Sequence, residues 1–139
     1  MKLIEIHRRR VRAGLAVLYL VAGVAHLVLP NQFLKITPGW VPDASMVILL
    51  TGICELAGAV GLLWPSTRHY AGIGIALYAA CVFPVNIKHA IDSLGGPSPS
   101  ALQWAYHLTR LPLQPMVVWL ALFAGEVISW PFLRRTFER

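Results

Sequence analysis

Glu55 is the one charged residue in the apolar stretch 44–67, and its carboxyl group could bind a ligand or exchange a proton. An ionisable side chain inside such a stretch is costly to bury, so it marks a functional site or a specific contact between helices. Other polar residues lie within or beside apolar stretches and could bind the polar groups of a ligand: His26, Asn86, His89, Arg110 and Gln114.

Histidine and glutamate side chains also suggest a metal centre, because both are common ligands of transition metals. Helical metal sites usually carry paired ligands at fixed spacing, such as two histidines four residues apart. His26, Glu55 and His89 are far apart in the sequence, and no HxxxH or ExxH pattern occurs. These residues therefore predict a polar pocket and no metal site.

The positions of the charged residues predict how the pocket residues are held. Only 13% of the 139 residues are charged and 57% are hydrophobic, whereas soluble domains carry about 25% charged residues. Four stretches contain at most one charged residue each: 13–34, 44–67, 69–87 and 111–133. A helix that crosses a bilayer needs about 20 mostly apolar residues. We therefore predict four transmembrane helices and two outer loops, with the helices at about 11–29, 44–64, 69–91 and 112–131 and the loops at 30–43 and 92–111.

Two other fold classes fit this pattern less well. A soluble helical bundle would need a polar outer face on each helix, and these stretches have none. Strands of a membrane barrel would alternate between apolar and polar residues, whereas these apolar runs are unbroken. The sequence thus predicts an all-α fold, with residues 1–139 forming a single transmembrane domain built as a four-helix bundle.

Lysine and arginine residues are distributed unequally between the two predicted sides of the membrane. The side with both termini holds nine of them: Lys2, Arg8, Arg9, Arg10, Arg12, Arg68, Arg134, Arg135 and Arg139. The other side holds three: Lys35, Lys88 and Arg110. The positive-inside rule makes the first side cytoplasmic. Basic residues that flank membrane spans indicate contact with lipid, and they do not form the continuous basic surface expected of a nucleic-acid partner.

Depth in the membrane predicts that the polar residues lie together. With a rise of 1.5 Å per residue, Glu55 lies near the midplane and most of the other polar residues lie in the outer half. Gly52 shares a helix face with Glu55, and Gly23 shares one with His26, so both side chains should point toward neighbouring helices. We predict that Glu55 forms the floor of a pocket that opens outward. Its walls would be His26, Asn86, His89, Arg110 and Gln114.

Each of these residues also has a purely structural interpretation. Glu55 could simply form a hydrogen bond between helices, and the histidines could pack at the membrane interface. Arg110 could extend its side chain to the outer surface. Glu126 lies in the inner half of the fourth predicted helix, and the sequence does not indicate its partner. Cys54 and Cys81 lie near the middle of their spans and are predicted to be free thiols in the core.

Several short motifs, taken together and in order, resemble the DoxX family of small bacterial membrane proteins. They cover residues 13–131 and comprise His26 with Pro30 and Phe33, the run Pro38-Gly39-Trp40-Val41-Pro42, Gly52 with Glu55, Phe83-Pro84-Val85-Asn86-Ile87 and Arg110-Leu111-Pro112-Leu113-Gln114. The resemblance implies a four-helix bundle that crosses the bacterial cytoplasmic (inner) membrane several times. Some DoxX proteins are subunits of thiosulfate:quinone oxidoreductases or of other membrane redox systems. Some carry a paired-cysteine motif, which this chain lacks, and this argues against thiol exchange.

Three classes of function remain open at this stage. The first is a membrane subunit of a redox system whose outer pocket binds a quinone or another small molecule. The second is a non-enzymatic subunit that assembles or stabilises a complex, and the third is a small proton-coupled carrier that uses Glu55. A soluble or membrane oxidoreductase is the expected partner in the first class, and the chain could also form a homo-oligomer. No flavin, haem or nucleotide motif occurs, so a redox cofactor would come from a partner or a substrate.

Overall fold

A computed structural model describes residues 2–129 and 131, and this part of the chain is helical without any strand. It contains five helices: α1 (Lys2–Val28), α2 (Pro30–Ile36), α3 (Ala44–Leu63), α4 (Arg68–Leu94) and α5 (Ala101–Ala124). The predicted all-α class is therefore confirmed. Three of these helices, α1, α3 and α4, are long and apolar enough to cross a membrane. The chain is thus a membrane protein by the length and composition of its helices.

Helix α5 differs from the fourth predicted helix, which was placed at about 112–131. It begins earlier because Ser100 forms a capping box at its start. The Ser100 hydroxyl accepts a hydrogen bond from the backbone N–H of Gln103, which has no partner within the first turn of the helix. Pro112 and Pro115 lie inside the helix without ending it, as neighbouring helices in membrane bundles often allow. The helix ends at Ala124, and Gly125 follows as its cap. Residues 130 and 132–139, which include three of the counted arginines, lie outside the described part.

Two other helical segments also differ from the sequence prediction. Helix α1 begins at Lys2 and not near residue 11, because hydropathy marks only the part of a helix that suits lipid. The Arg12 guanidinium donates to Glu5 at 2.9 Å across this basic segment. The predicted outer loop 30–43 contains α2, since Pro30 occupies the first helical turn, where proline is favoured, and the turn-forming residues follow only after Ile36.

The helices form two closely packed pairs, α1 with α3 and α4 with α5, and the pairs meet along α3–α4 and α1–α5. Their shared core consists mostly of small and aliphatic side chains: Leu15, Ala16, Tyr19, Ala59, Leu62, Ile75, Ala76, Ala121 and Ala124. Without an aqueous driving force inside lipid, helices associate by close packing of such small residues. Many other large apolar side chains are exposed on the outside of the bundle, where they would contact lipid.

Close contacts between glycines determine how each helix pair crosses. A β-carbon added to Gly23 of α1 would lie 2.9 Å from the Gly52 carbonyl oxygen of α3. A β-carbon added to Gly72 of α4 would lie 2.7 Å from Gly125, just after α5. Both distances are too short for a side chain, so each pair approaches through backbone contact. The predicted close approach of the helices that carry His26 and Glu55 is therefore present.

Arginine side chains from α1 cap the end of α5. Arg8 donates to the carbonyls of Phe123 and Ile128 at 3.2 and 2.9 Å, and Arg12 donates to the Ala124 carbonyl at 2.8 Å. The last carbonyls of a helix have no partner within the helix and attract cations. This contact brings the start of α1 to the same end of the bundle as the end of α5.

Glu126 lies beyond α5 and not inside a span, which corrects its predicted position. Its Oε1 accepts from Arg12 at 2.6 Å and from Arg68, at the start of α4, at 2.9 Å. Residue 126 also has a positive φ of 63°, because the chain turns there immediately after the glycine cap. Three helix ends thus meet at this acid, and we call this the inner end of the bundle; the α1–α3 and α4–α5 connections lie at the opposite, outer end.

Candidate functional site

A buried cluster of three polar side chains joins α1, α3 and α4. The Glu55 side chain is 5% exposed, and its Oε1 accepts a hydrogen bond from the Tyr78 hydroxyl at 2.7 Å. Its Oε2 lies 2.8 Å from His26 Nδ1. Tyr19 packs edge-on against the Tyr78 ring with centroids 6.1 Å apart. We call His26, Glu55 and Tyr78 the buried triad.

The contact between His26 and Glu55 leaves one carboxyl oxygen without an aligned hydrogen bond. His26 Nδ1 also lies 3.0 Å from the Ala22 carbonyl, and a carbonyl can only accept, so Nδ1 carries a proton. This N–H is directed to Ala22, and Glu55 Oε2 is close to the nitrogen but outside hydrogen-bond geometry. A buried polar atom in this state suits a ligand, a water molecule or a transferred proton.

The sequence places the triad through helical periodicity and the glycine crossing. Glu55 lies on the buried face of α3 with Gly52 and Ala59, and His26 follows Gly23 by nearly one turn. The two helices run antiparallel and touch at Gly23 and Gly52. Because each side chain tilts toward the N-terminus of its own helix, His26 and Glu55 point toward each other across this contact. Tyr78 was not predicted, since an aromatic residue in a span usually indicates lipid contact or packing. Its only signal is its position on α4 beside the buried Ala79.

Asn86 and Gln114 form a second polar contact, between α4 and α5. The Asn86 amide donates to Gln114 Oε1 at 3.2 Å, and Gln114 Nε2 donates to the Ala79 carbonyl at 2.8 Å. Pro84 lies inside α4 and cannot donate to the Ala80 carbonyl. The observed acceptor precedes it by one residue. This contact is satisfied within the protein and holds the two helices together.

His89 and Arg110 belong to a third polar group at the outer end. Arg110 Nη1 donates a hydrogen bond to the Tyr106 hydroxyl at 2.7 Å. The same nitrogen lies 3.5 Å from His89 Nδ1. The guanidinium carbon lies 5.4 Å from the Tyr106 ring centroid. His107 packs edge-on against His89 at 4.8 Å and is buried. Arg110 is therefore held by an aromatic group and not simply extended to the surface.

Two cavities lie on opposite sides of the buried triad. The outer cavity has a volume of about 140 Å³ and is lined by polar and apolar residues that include His26, Phe33, Tyr78, Asn86, His89 and Arg110. Phe33 of α2 stacks on the His26 ring at 3.8 Å, so α2 covers part of this cavity. Helix α2, within the predicted outer loop 30–43, thus lies over the outer end of the bundle.

The second cavity is a groove between α3 and α4 with a volume of about 810 Å³. Its wall is almost entirely apolar and includes small residues such as Gly58 and Gly74, with Trp64 and Tyr70 at the inner end. Glu55 and Tyr78 supply the polar groups. We call it the α3–α4 groove.

The family comparison covers all of this site. The model of a family described as a domain of unknown function (DUF8561) matches residues 15–124. The chain belongs to the DUF8561 family. The match runs from the middle of α1 to the end of α5 and includes the buried triad. No curated protein and no solved structure matches the chain.

The six residues predicted for one pocket are distributed over three groups in this DUF8561 chain. His26 and Glu55 meet in the triad, Asn86 and Gln114 form an interhelical contact, and His89 lies beside Arg110. His26, Asn86, His89 and Arg110 do share the outer cavity, whereas Glu55 lines the α3–α4 groove. Depth alone could not separate these groups, because residues at one depth can point to different sides of a helix.

Both cysteines are free, but they are exposed on the bundle surface and do not lie in the core as predicted. Successive residues of a helix point about 100° apart, so the face that buries Glu55 turns Cys54 outward. Cys54 lines the α3–α4 groove. The direction of each cysteine depends on which helix face meets the other helices, and depth along a span does not show this.

Proposed function

We propose that this chain is a DoxX-like membrane protein of a redox system, and that it binds a quinone with its polar ring at Glu55 and Tyr78. The observation that supports this proposal is a buried carboxyl group with one oxygen that lacks an aligned hydrogen bond, on a residue that lines a large apolar groove. Ligand sites of this kind combine a mostly apolar wall with a few polar groups that orient the ligand.

The volumes of the two cavities favour the groove as the binding site. Sites for small molecules usually measure about 300–1,000 Å³, a range that contains the α3–α4 groove at about 810 Å³. The outer cavity of about 140 Å³ is too small. In this proposal the ligand therefore binds in a groove that opens between helices toward lipid, and not in the outward-opening pocket predicted from the sequence.

The polar groups of the triad suit both redox forms of a quinone. A quinone carries ring carbonyls and a quinol carries ring hydroxyls, while both usually have an apolar tail. Protonated Glu55 can donate to a ring carbonyl, and the carboxylate can accept from a ring hydroxyl. The Tyr78 hydroxyl fixes the orientation of the carboxyl group through its 2.7 Å bond. A bound quinone would supply the redox chemistry, with an oxidoreductase partner exchanging its electrons.

The proposed topology has four spans, with both termini in the cytoplasm of a bacterium and the chain in its inner membrane. Helix α5 would be the fourth span, shortened at its outer end by the polar turn around Arg110. Support comes from the nine-to-three distribution of basic residues and from the meeting of three helix ends at Glu126. The inner end of the bundle would then face the cytoplasm.

A second candidate function is a non-enzymatic subunit that stabilises or assembles a complex. The observation that favours it is the contact of Asn86 with Gln114 and the Ala79 carbonyl, in which the polar groups bond to each other between helices. In that case the triad would also act only as a contact between α1, α3 and α4. Substitution of Glu55 separates the two functions.

Binding of a short-chain quinone to the detergent-purified protein tests the proposed function. Trp64 lies in the groove, so decylubiquinone should quench tryptophan fluorescence in the wild type. Glu55→Gln keeps the size of the side chain but replaces the acidic O–H donor by a weaker amide donor, so it should weaken binding by about tenfold, of the order of one neutral hydrogen bond. Its thermal unfolding should stay close to that of the wild type.

Asp92→Asn is the matched control, because it also replaces a carboxylate by its amide. Asp92 is exposed at the outer end of α4 and pairs with Lys88 on the same helix. This variant should bind decylubiquinone as the wild type does. Equal binding by wild type and Glu55→Gln, with a loss of stability in Glu55→Leu, would contradict quinone binding and favour the stabilising subunit.

A further inference from the structure

We propose that Glu55 exchanges its proton with the outer aqueous side through His26, so that the buried triad is a proton connection between the α3–α4 groove and the outer cavity. This inference rests on the proposed function, because the proton would pass to or from a quinone in the groove. Its basis is the position of the triad. Glu55 lines the groove, His26 lines the outer cavity, and Tyr78 lines both.

The distances permit a proton to enter the His26 ring at one nitrogen and to leave it from the other. A proton from the outer cavity binds His26 Nε2 and gives an imidazolium ion. The Nδ1–H bond then breaks as an O–H bond forms on Glu55 Oε2, which lies 2.8 Å away. The histidine is left neutral with its proton on Nε2. Water of the outer cavity then donates a proton to Nδ1, which gives the imidazolium ion again, and accepts the proton of Nε2, which restores the starting state. Reversal of these steps carries a proton outward.

The inner half of the groove offers no comparable path among the described residues. From Glu55 toward the inner end its wall consists of small and apolar side chains, followed by Trp64, Thr67 and Tyr70. None of these has a proton affinity suited to relay near neutral pH. The outer cavity, in contrast, presents His89 and Arg110 around His26. This difference between the two sides assigns the proton exchange of Glu55 to the outer side.

Several charged or titratable groups face the triad and would affect its protonation. Tyr19 of α1 and Tyr78 of α4 adjoin the carboxyl group, and Cys54 precedes it on α3. Arg110 of α5 and His89 of α4 face His26 across the outer cavity. The positive charge of Arg110 opposes formation of the imidazolium ion, whereas a Glu55 carboxylate beside His26 favours it.

Labelling of Glu55 by a lipid-soluble carbodiimide tests the exchange, because the reagent modifies protonated carboxyl groups and can enter the groove from the bilayer. The full chain is placed in sealed vesicles of known orientation, and the pH is changed on one side at a time. Mass spectrometry measures the modified fraction of Glu55, and decylubiquinone binding is measured in the same preparation. In the wild type, labelling should decrease when only the outer pH is raised and stay constant when only the inner pH is raised.

His26→Gln retains a hydrogen-bond donor but removes the relay nitrogen, so Glu55 labelling should respond to the outer pH about a hundredfold more slowly, within the range lost with a general acid–base group. Quinone binding should persist in this variant. His69→Gln is the matched control, since His69 is exposed in the first turn of α4, and it should respond as the wild type does.

Three results would overturn the inference: labelling that follows the inner pH, an unchanged response in His26→Gln, or no labelling at any pH despite quinone binding. Labelling that follows the outer pH without any quinone binding would support the proton connection and contradict the proposed function. The two proposals therefore fail in distinguishable ways.

Discussion

Glu55 and Glu126 are the two acids found in the apolar stretches of the sequence, and their surroundings differ. Glu55 is buried between three helices and contacts a histidine and a tyrosine. Glu126 is partly exposed beyond the end of α5 and contacts two arginines. Hydrogen bonding from Arg68, followed by the charge of Arg12, lowers the pKa of Glu126. We propose that the first acid binds a ligand, whereas the contacts of the second join the ends of the helices.

Replacement of Glu126 should lower stability in a pH-dependent way. Because the folded state lowers its pKa below the ordinary value of 4.5, the ionised acid stabilises the fold above about pH 4.5, and this contribution is lost as the pH falls through the lowered value. Glu126→Gln should cost about 1 kcal/mol at pH 7, as expected for a largely exposed ion pair.

The measurement is thermal unfolding in detergent from pH 7 down to pH 3. The difference between Glu126→Gln and the wild type should shrink below pH 4.5. Asp92→Asn serves as a control, because its lysine pair lies on one helix and contributes little. A constant difference across this pH range would contradict the assigned role of the Arg12–Glu126–Arg68 contact.

The two cysteines should be dispensable for the fold. Cys54 and Cys81 are free and point away from the core, so each serine substitution should change the free energy of unfolding by less than about 0.5 kcal/mol. Circular dichroism during heating measures this effect, and decylubiquinone binding in both variants checks the site. Lost binding in Cys81→Ser, which does not line the groove, would indicate a thiol role that the structure does not explain.

At the residue scale, sequence analysis placed His26 and Glu55 in one predicted pocket, because helical phase and small neighbours are readable from spacing, and in the structure the two side chains lie in contact. It did not predict Tyr78, since a tyrosine in an apolar helix has the same appearance whether it faces lipid or a carboxyl group. It also could not assign a partner to Glu126, because the α5 end and the two arginines are far apart in the sequence.

At the scale of elements, hydropathy predicted α3 closely and misplaced the ends of α1 and α5. Apolar runs report the part of a helix that suits lipid, whereas capping decides where the helix begins. Ser100 starts α5 through its capping box, so the polar residues before Pro112 are helical as well. Pro112 and Pro115 do not end α5, because the packing of α4 against α5 stabilises the helix around them.

The glycine crossing of α1 and α3 should be sensitive to one added methyl group. Gly23→Ala would place its β-carbon 2.9 Å from the Gly52 carbonyl oxygen and 2.8 Å from Leu56 Cγ, so the helices must separate. We expect a loss of about 1–3 kcal/mol, the usual cost of overpacking. The separation would also move His26 away from Glu55 and slow the response of Glu55 labelling to the outer pH.

Gly14→Ala provides the matched control on the same helix, because its β-carbon would have no atom within 4 Å. This variant should be unchanged or more stable by up to about 1 kcal/mol, owing to the higher helix propensity of alanine. Unfolding in a series of denaturing detergent mixtures compares the two variants. Equal stability of Gly23→Ala and Gly14→Ala would show that the crossing is not as close as described.

At the scale of the whole molecule, composition and charge spacing predicted the all-α membrane class, while the arrangement of the helices required the structure. The sequence does not show that α1 pairs with α3 and α4 with α5, because similar small-residue faces occur on several helices. The α3–α4 groove results from this pairing: the two closely packed pairs meet less closely where the groove lies. It was therefore not predictable from spacing along a single helix.

The nine-to-three distribution of basic residues predicts that the α1–α3 connection faces away from the cytoplasm. A cysteine introduced as Gly39→Cys, in a background with both native cysteines replaced by serine, should react with an impermeant maleimide added to intact cells. Ser66→Cys, in the α3–α4 connection at the inner end, should react only after the cells are opened. The reverse pattern would invert the topology and place the outer cavity on the cytoplasmic side.

The central claim, that the α3–α4 groove binds a quinone at Glu55, is tested most directly by photolabelling with an azidoquinone followed by peptide mapping. The proposal predicts covalent adducts on groove residues of α3 and α4 near the triad, such as Cys54, Gly58 and Tyr78. Excess decylubiquinone should suppress these adducts, and Glu55→Gln should strongly reduce them. Adducts confined to lipid-facing residues outside the groove, or adducts that neither competition nor Glu55→Gln changes, would contradict the claim.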